Sequence, residues 1–413
     1  MTFEISKKIT PFILAFLIAG LVSCKDSGKS TAETSESISA DRMDTIKYST
    51  WMADSEIKRN PKGWTLDFNE KPKWEYTHGL IMTSMEKLYK ETDDKKYLNY
   101  IKNFAEFMID DRGEIKTYKK SDYNIDRVNG GKFLIGLYEE TGEDRYKKAL
   151  ERLRDQMREH PRNSEGGFWH KKVYPHQMWL DGLYMGSPFL ARYAAAFEEP
   201  KLFDDVANQI RVMDKYAYSE ESGLYHHAYD ESKEQRWADP KTGLSTNYWA
   251  RSIGWFSMAL VDVLDYLPED HPKRKNIIEI ANKLADGILK YQDETGVWYQ
   301  VIDQGDREGN YLESSASSMF AYFLLKGSEN GYLTEGHREA GITAYEGIIQ
   351  EFIKEEDDGA LTLTNVCGVA GLGGDPYRDG SYEYYIGEEI RENDPKGVGP
   401  FILASLEYEA LKK

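Results

Sequence analysis

Two aspartates lie at matching places in successive segments of the chain, where a pair of acids could move protons. Asp126, in YNIDRVNGGKFLIGLY, precedes Tyr138 by 12 residues, and Asp181, in HQMWLDGLYMGSPFLARY, precedes Tyr193 by 12 residues. Because the segments align on these tyrosines, we expect both acids at the starts of adjacent helices, side by side. Neighbouring carboxylates raise each other's proton affinity and so can supply one ionised and one protonated group. Each aspartate alone could instead be a helix N-cap.

Further polar and aromatic residues stand at the same kind of loop-to-helix junction. Flat aromatic faces stack on sugar rings, and an arginine can pair with an anionic substituent. The combination predicts a sugar-binding site, although any single histidine could be a structural residue. The candidate substrate-binding residues are His170 and Lys171 in GGFWHKKVYPHQMW, His227 with its neighbour His226 in GLYHHAYD, and Trp249, Arg251 and Trp255 in YWARSIGWF.

The elements that must position these residues repeat along the chain. LYKETDDKKYL, LYEETGEDRYKKAL and RYAAAFEEPKLFDDVA each indicate the end of one helix, an acidic turn and the start of the next. Tyr89, Tyr138 and Tyr193 are then equivalent, at spacings of 49 and 55 residues, which is room for two helices and two connections. Looser copies follow at residues 249–289 and 314–353.

The repeat predicts an all-α fold, an (α/α)6 barrel of about six helical hairpins. The first helix of each hairpin is rich in small and aromatic residues, whereas the second carries charges at helical spacing, which places the first inside and the second outside. The last helix, at 399–411, has no following partner, and a helix around 44–59 could close the ring. An open helical solenoid is the alternative. Three long interruptions, at 161–176, 223–247 and 357–398, should gather at the barrel mouth.

Composition and charge exclude some classes of partner. The 413 residues include 29 Tyr, 9 Trp and 16 Phe, enough for a core with aromatic side chains left to line a cleft. The formal net charge of −18 should repel nucleic acid and anionic membrane surfaces. The chain has two cysteines, and neither lies in a cluster with zinc-ligand spacing, so we expect no metal.

The N-terminus resembles a targeting signal. Two lysines precede the apolar stretch PFILAFLIAGLVS, which is short for a membrane span, and LVSC at 21–24 resembles a bacterial lipobox. We therefore expect a signal peptide at 1–23, lipidation of Cys24, a flexible tether at 24–43 and a catalytic domain at 44–413. The expected location is the cell envelope, as a lipoprotein of the outer membrane. A buried N-terminal helix is the alternative.

Three segments carry a family resemblance. MWLDGLYMGSPFLARYA, WADPKTGLSTNYWARSIGWF and TNVCGVAGLGGDPYRDGSYEYYIGEEIRENDPKGVGPFILA occur in the order found in glycoside hydrolase family 105. The chain resembles that family's unsaturated rhamnogalacturonyl hydrolases, relatives of the family 88 unsaturated glucuronyl hydrolases, over residues 44–413. The resemblance implies an (α/α)6 barrel, no metal or organic cofactor, and action on the 4,5-unsaturated uronic acid that polysaccharide lyases leave at a non-reducing end.

The resemblance also implies roles. Asp181 matches the general acid/base that protonates carbon 4 before water adds at carbon 5, and Asp126 matches a second acid that places water or shares the proton. Arg251 is the candidate partner of the substrate carboxylate, because its planar fork binds bidentately. Substrate contacts are implied for Tyr76, His170, His227, Trp249, Arg251 and Trp255.

Two other functions fit parts of the sequence. A glycan-binding surface lipoprotein without catalytic activity explains the lipobox and the aromatic residues but not the paired acids. An ordinary hydrolase or lyase on the same barrel would act on saturated or polymeric substrate. Within the first hypothesis, unsaturated galacturonyl-rhamnose from pectin and unsaturated glucuronyl-rhamnose from a sulfated algal polysaccharide both stay open.

Overall fold

The computed structural model describes residues 47–413, and its regular secondary structure is mainly helical, with a few short strands. The expected signal peptide, the expected lipidation site Cys24 and the expected tether lie outside the described residues. In chain order the helices are α1 (Tyr48–Arg59), α2 (Tyr76–Thr92), α3 (Lys95–Met108), α4 (Gly131–Thr141), α5 (Asp144–Glu159), α6 (Leu180–Ala196), α7 (Lys201–Ala217), α8 (Ala250–Leu264), α9 (Arg274–Leu289), α10 (Ser314–Glu329), α11 (Glu335–Phe352), α12 (Tyr382–Ile386) and α13 (Pro395–Ala410).

Short strands join the connections between helices in antiparallel pairs. The pairs are β1 (Gln177–Trp179) with β2 (Ala228–Asp230), β3 (Ile353–Glu355) with β4 (Leu361–Leu363), and β5 (Val366–Cys367) with β6 (Ile390–Arg391). The connection before α4 also contains 3₁₀ turns at Lys120–Asp122 and Ile125–Val128.

The two helices of each hairpin differ in how much of their surface is apolar. Helix α3 buries a single stripe at i, i+3, i+4 and i+7 spacing (Tyr97, Tyr100, Ile101, Phe104, Ala105 and Met108) and is exposed elsewhere. Helix α8, by contrast, is buried along its whole length. A helix apolar on every side must be surrounded by others, so α2, α4, α6, α8, α10 and α13 form the inner ring, and α3, α5, α7, α9, α11 and α1 lie outside them.

The ring closes where the two ends of the described chain meet. Helix α1 packs on α13, and the Ser49 hydroxyl donates to Glu409 at 2.7 Å. Helix α13 also packs on α2, so closely that a Cβ on Gly399 would lie 2.7 Å from Leu80. The predicted (α/α)6 barrel is confirmed, and the open solenoid is excluded.

The repeat located the helices well and their ends less well. Tyr89, Tyr138 and Tyr193 each lie three residues before the end of an inner helix, as their predicted equivalence requires. Helix α13 begins four residues earlier than predicted, because the Asp394 carboxylate caps it by accepting from the Lys396 N–H at 3.0 Å, and Pro395 fits the first turn.

The three long interruptions meet at one end of the barrel. Tyr174, Trp237 and Leu372 come one from each and pack in a single apolar cluster with Trp179. The Arg378 guanidinium donates to the Tyr174 hydroxyl at 3.0 Å and links the third interruption to the first. None of the helices between residues 47 and 413 is both long and apolar enough to span a membrane.

Candidate active site

The inner helices present their N-termini at that same end, and the predicted site residues lie there. Tyr76 is the first residue of α2, Asp181 the second of α6 and Arg251 the second of α8. Backbone bonds tie the loops above them together: the Leu180 N–H donates to the His227 carbonyl at 3.0 Å, and the Ile125 N–H donates to the His170 carbonyl at 3.1 Å.

Asp126 lies beside a lysine ammonium and an imidazole. Its Oδ2 is 2.7 Å from Lys171 Nζ, and its Oδ1 is 3.4 Å from His170 Nε2. Burial acts to raise the pKa of this carboxyl, but the Lys171 ammonium and His170 outweigh it and hold the pKa below the ordinary value of 3.8. Asp126 is therefore ionised at neutral pH. Burial lowers the pKa of His170 itself to about 4, so that ring is neutral there.

Asp181 has an imidazole beside it instead of a lysine. Its Oδ2 lies 3.1 Å from His227 Nε2, although the contact is not aligned as a hydrogen bond. The Asp181 side chain is 13% exposed, while Oδ2 itself is inaccessible, so Oδ1 is the oxygen available to a substrate. The two acids thus have different electrostatic partners, which suits them to different tasks.

An aromatic stack connects the two acids. The His170 ring stacks on Trp179 with centroids 4.4 Å apart and planes at 7°, and Tyr174 stacks on Trp179 at 5.1 Å. The edge of His227 meets the same indole at 5.4 Å. Trp179 therefore fixes the imidazole that touches Asp126 and the one that touches Asp181.

Arg251 is fully buried and has unused donors. Its Nη2 donates to the Cys367 carbonyl, while Nε and Nη1 find no hydrogen-bond partner between residues 47 and 413. Buried N–H groups without a partner are costly and are satisfied by a ligand where one is bound. A planar anion such as a carboxylate would satisfy both.

Two of the aromatic residues predicted to contact the substrate are almost completely buried. Trp249 is 2% exposed, packed between His227 and Tyr385, and Trp255 is 1% exposed, stacked on Tyr184 at 4.9 Å with its edge toward Tyr76. In this structure the two tryptophans support the site, and a direct sugar contact for either stays a prediction.

The position of Asp126 corrects one expectation. It lies in the 3₁₀ turn Ile125–Val128, not at the start of α4, which begins at Gly131. The NGGK segment explains the delay, since a Cβ on Gly130 would lie 2.3 Å from the Trp74 ring, and one on Gly131 would lie 2.3 Å from Phe189. Neither acid is an N-cap: Asn124 caps the turn, and Trp179 precedes α6.

Sequence reasoning missed two residues that organise the site. Gln300, fully buried, accepts from Trp249 Nε1 at 3.2 Å and donates to the Tyr385 carbonyl and the Cys367 sulfur, both at 3.0 Å. The Tyr385 hydroxyl lies 2.8 Å from His227 Nδ1. The run SYEYYIGEE belongs to the segment that carries the family resemblance, but nothing in the sequence distinguishes its tyrosines from one another.

The structure also separates the adjacent histidines. His226 Nδ1 lies 2.6 Å from the Ser245 carbonyl and its Nε2 lies 3.3 Å from the Tyr248 hydroxyl, so His227 is the one that faces Asp181. Residues 47–413 contain no group of three or more histidine, cysteine or carboxylate side chains that could hold a metal ion.

Comparison with known proteins agrees with this geometry. A family 105 glycoside hydrolase from Clostridium acetobutylicum (C. acetobutylicum ATCC 824) superposes with a TM-score of 0.85 and 49% identity, over 88% of this chain and 100% of that one. A protein of Agrobacterium fabrum is 39% identical over 229 residues, 54% of this chain and 97% of its own. The unsaturated rhamnogalacturonyl hydrolase of Bacillus subtilis is 26% identical over 258 residues, 61% of this chain and 70% of its own.

The family model for glycosyl hydrolase family 88 matches residues 48–412, nearly all of the described barrel. With the all-helical ring, the acids at its mouth and a family 105 structure as a near neighbour, this chain belongs to glycosyl hydrolase family 88 and is a glycosidase of the unsaturated uronyl hydrolase type.

Proposed function

We propose that this enzyme removes the 4,5-unsaturated uronic acid from the non-reducing end of lyase-generated oligosaccharides, with unsaturated galacturonyl- or glucuronyl-rhamnose as substrate and Asp181 as general acid/base. The observation that carries the proposal is the unequal pair of carboxylates. Asp126 is held ionised by Lys171, whereas Asp181 faces an imidazole and keeps one oxygen accessible. The name of the Bacillus relative supports a rhamnose-linked unsaturated galacturonate.

The proposed reaction hydrates a double bond. Asp181 gives its proton to carbon 4, and the positive charge that develops at carbon 5 is shared with the ring oxygen. Water adds at carbon 5 and returns a proton to the Asp181 carboxylate, which restores the acid. The hemiketal formed opens to a ketone at carbon 5, leaves a hemiacetal at carbon 1, and that hemiacetal releases the aglycone alcohol.

Asp126 supports this chemistry as a fixed negative charge. An ionised carboxylate accepts hydrogen bonds, so Asp126 can orient the attacking water or a sugar hydroxyl while Lys171 and His170 hold it in place. It is unsuited to donate the proton, since its pKa lies below the ordinary value.

Arg251 is the proposed partner of the substrate's own carboxylate. Its two unused donors are buried, and the guanidinium carbon lies 5.2 Å from the centre of the Trp249 ring. A buried charge-assisted pair is strong, and this one would place the unsaturated ring by its carboxylate rather than by its hydroxyls. Arg251→Lys should therefore raise KM much more than it lowers kcat.

The test is loss of the ultraviolet absorbance of the conjugated double bond on incubation with a panel of lyase digests. Wild type should remove the absorbance, and Asp181→Asn should abolish turnover while leaving the fold intact. The matched control is Asp270→Asn, which changes an exposed aspartate in the turn between α8 and α9 and should be fully active. Undiminished turnover by Asp181→Asn would refute the assignment, and binding of oligosaccharide without absorbance loss in wild type would indicate a glycan-binding protein.

We also propose that the enzyme is anchored in the cell envelope through a lipid on Cys24. The support is the sequence LVSC after a short apolar stretch. The full-length protein should fractionate with membranes in a bacterial host and incorporate labelled palmitate, and Cys24→Ala should do neither. Palmitate label retained by Cys24→Ala would refute the anchor.

A further inference from the structure

His227 lies between a carboxyl group and a phenol hydroxyl, one near each ring nitrogen. Its Nε2 lies 3.1 Å from Asp181 Oδ2, and its Nδ1 lies 2.8 Å from the Tyr385 hydroxyl. His227 and Tyr385 are both fully buried. Asp181 lies on α6, His227 in the loop before β2 and Tyr385 on the short helix α12. The imidazole of His227 therefore connects Tyr385 to the proposed acid across the barrel mouth.

Tyr385 is fixed independently of His227. Its carbonyl accepts from Gln300 Nε2 at 3.0 Å, and its ring stacks on Trp249 with centroids 5.9 Å apart and planes at 17°. Burial raises the pKa of its hydroxyl well above 10, so the phenol keeps its proton. The hydroxyl is thus rigidly placed, and its hydrogen needs an acceptor.

The surroundings decide where that hydrogen points. Among residues 47–413, His227 Nδ1 is the one hydrogen-bond partner of the buried Tyr385 hydroxyl. If Nδ1 carried a hydrogen and donated it to Tyr385, the phenol hydrogen would be buried without an acceptor, which costs about 1–3 kcal/mol. The lower-energy arrangement has the Tyr385 O–H donating to Nδ1, and a neutral imidazole then carries its hydrogen on Nε2.

We propose that Tyr385 is a positioning residue that holds His227 in the Nε2–H tautomer, so that His227 donates to Asp181 Oδ2 and the acidic proton of Asp181 resides on Oδ1. The inference rests on the proposed role of Asp181 as general acid. A carboxylic acid that accepts a hydrogen bond at one oxygen carries its proton on the other, and Oδ1 is the accessible oxygen of Asp181.

The opposite tautomer would disable the acid. With the hydrogen on Nδ1, the lone pair of Nε2 would face Oδ2 and draw the Asp181 proton into a buried O–H···N bond, away from carbon 4. The 3.1 Å contact is not aligned in the free enzyme, and hydrogen bonds of this kind commonly tighten when substrate binds. Tyr385 therefore sets which of the two arrangements forms.

The first test is nitrogen NMR of the full-length enzyme with ¹⁵N-labelled histidine, the His227 signals being assigned with a His227→Gln variant. We expect a neutral ring with hydrogen on Nε2 and a bare Nδ1 at the pH of activity. Hydrogen on Nδ1, or on both nitrogens, would overturn the proposal. This readout needs no substrate, so it stands even if Asp181→Asn proves active and the proposed function fails.

The second test is Tyr385→Phe, with Tyr384→Phe as its matched control. Tyr384 lies on the same short helix, but its hydroxyl accepts from the Gly371 N–H at 3.0 Å and does not touch His227. Tyr385→Phe should lower kcat on the order of tenfold or more, as a wrong imidazole tautomer does in other enzymes, leave KM within about twofold, and mix the His227 tautomers. Wild-type kcat with an unchanged spectrum would overturn the proposal, and so would an equal loss in Tyr384→Phe.

Discussion

Lys171→Met is the substitution that most directly tests why the two acids differ. The Lys171 ammonium lies 2.7 Å from Asp126 Oδ2, and its side chain is 23% exposed. At that distance the attraction is about 1.5 kcal/mol if it is screened as in bulk water and about 6 kcal/mol at an effective dielectric constant of 20. Because 1.36 kcal/mol corresponds to one pKa unit, the lower figure already predicts a rise of about one unit in the pKa of Asp126.

The direction follows from the sign of the shift. Asp126 acts as an anion, and its pKa lies below 3.8, so wild-type activity should fall only as the pH drops through that low value. Without Lys171 the burial of Asp126 is no longer compensated, its pKa rises, and activity is lost at higher pH. His170 titrates near pH 4, and Lys171 lowers its pKa too, so both groups move the acidic limb upward.

The assay is the pH profile of kcat/KM from the loss of double-bond absorbance. Lys171→Met should move the acidic limb up by at least about one pH unit. Lys172→Met is the control: this neighbour is exposed, with its ammonium 5.6 Å from the Tyr123 ring, and its loss of the same charge should leave the limb in place. An unmoved limb in Lys171→Met, or an equal shift in Lys172→Met, would refute the reasoning.

Two further predictions concern buried charges on the inner helices. Arg192 forms a bidentate pair with Glu86 at 2.7 and 2.8 Å, so Arg192→Met should lower the free energy of unfolding by about 3–5 kcal/mol, whereas Arg158→Met, on a side chain 45% exposed, should lower it by less than about 1 kcal/mol. Chemical denaturation measures both, and losses of equal size would contradict the prediction. Burial lowers the pKa of Lys132, whose Nζ lacks a partner in the described part of the chain and lies 3.4 Å from the centre of the Tyr184 ring, to about 7. The unfolded chain then binds this proton more tightly, so wild-type stability should rise from about pH 7 toward 10.5, and Lys132→Met should flatten that rise; an unchanged slope in Lys132→Met would show that Lys132 is not its source.

The barrel could be predicted from sequence because its helices repeat. Tyr89, Tyr138 and Tyr193 mark the same place in successive inner helices, and an unpaired last helix requires a partner from the other end of the chain. Both signals are periodic or countable. The start of α4 could not be predicted this way, because it depends on Trp74 and Phe189 pressing against two glycines, a contact that no periodicity records.

The candidate site, like the fold, could be predicted only in part. Asp126 and Asp181 could be matched by their offsets, but their partners could not, since Lys171, His227 and Tyr385 come from connections of irregular length, and His227 is 158 residues from Tyr385. The repeat alone would make the two acids equal. What makes one an anion and orients the other is supplied entirely by the loops.

Loop residues and inner helices should respond differently to substitution. Helix α6 places Asp181 at the barrel mouth and the connection before α4 places Asp126 there, while loop residues hold Asp126 ionised and contact Asp181. Exchanging the connection that carries Lys171 should therefore change the pH dependence with little effect on folding, while a change in an inner helix should do the reverse. A loop exchange that left the pH profile of kcat/KM intact would mean that the inner helices, not the loops, set the protonation of the pair.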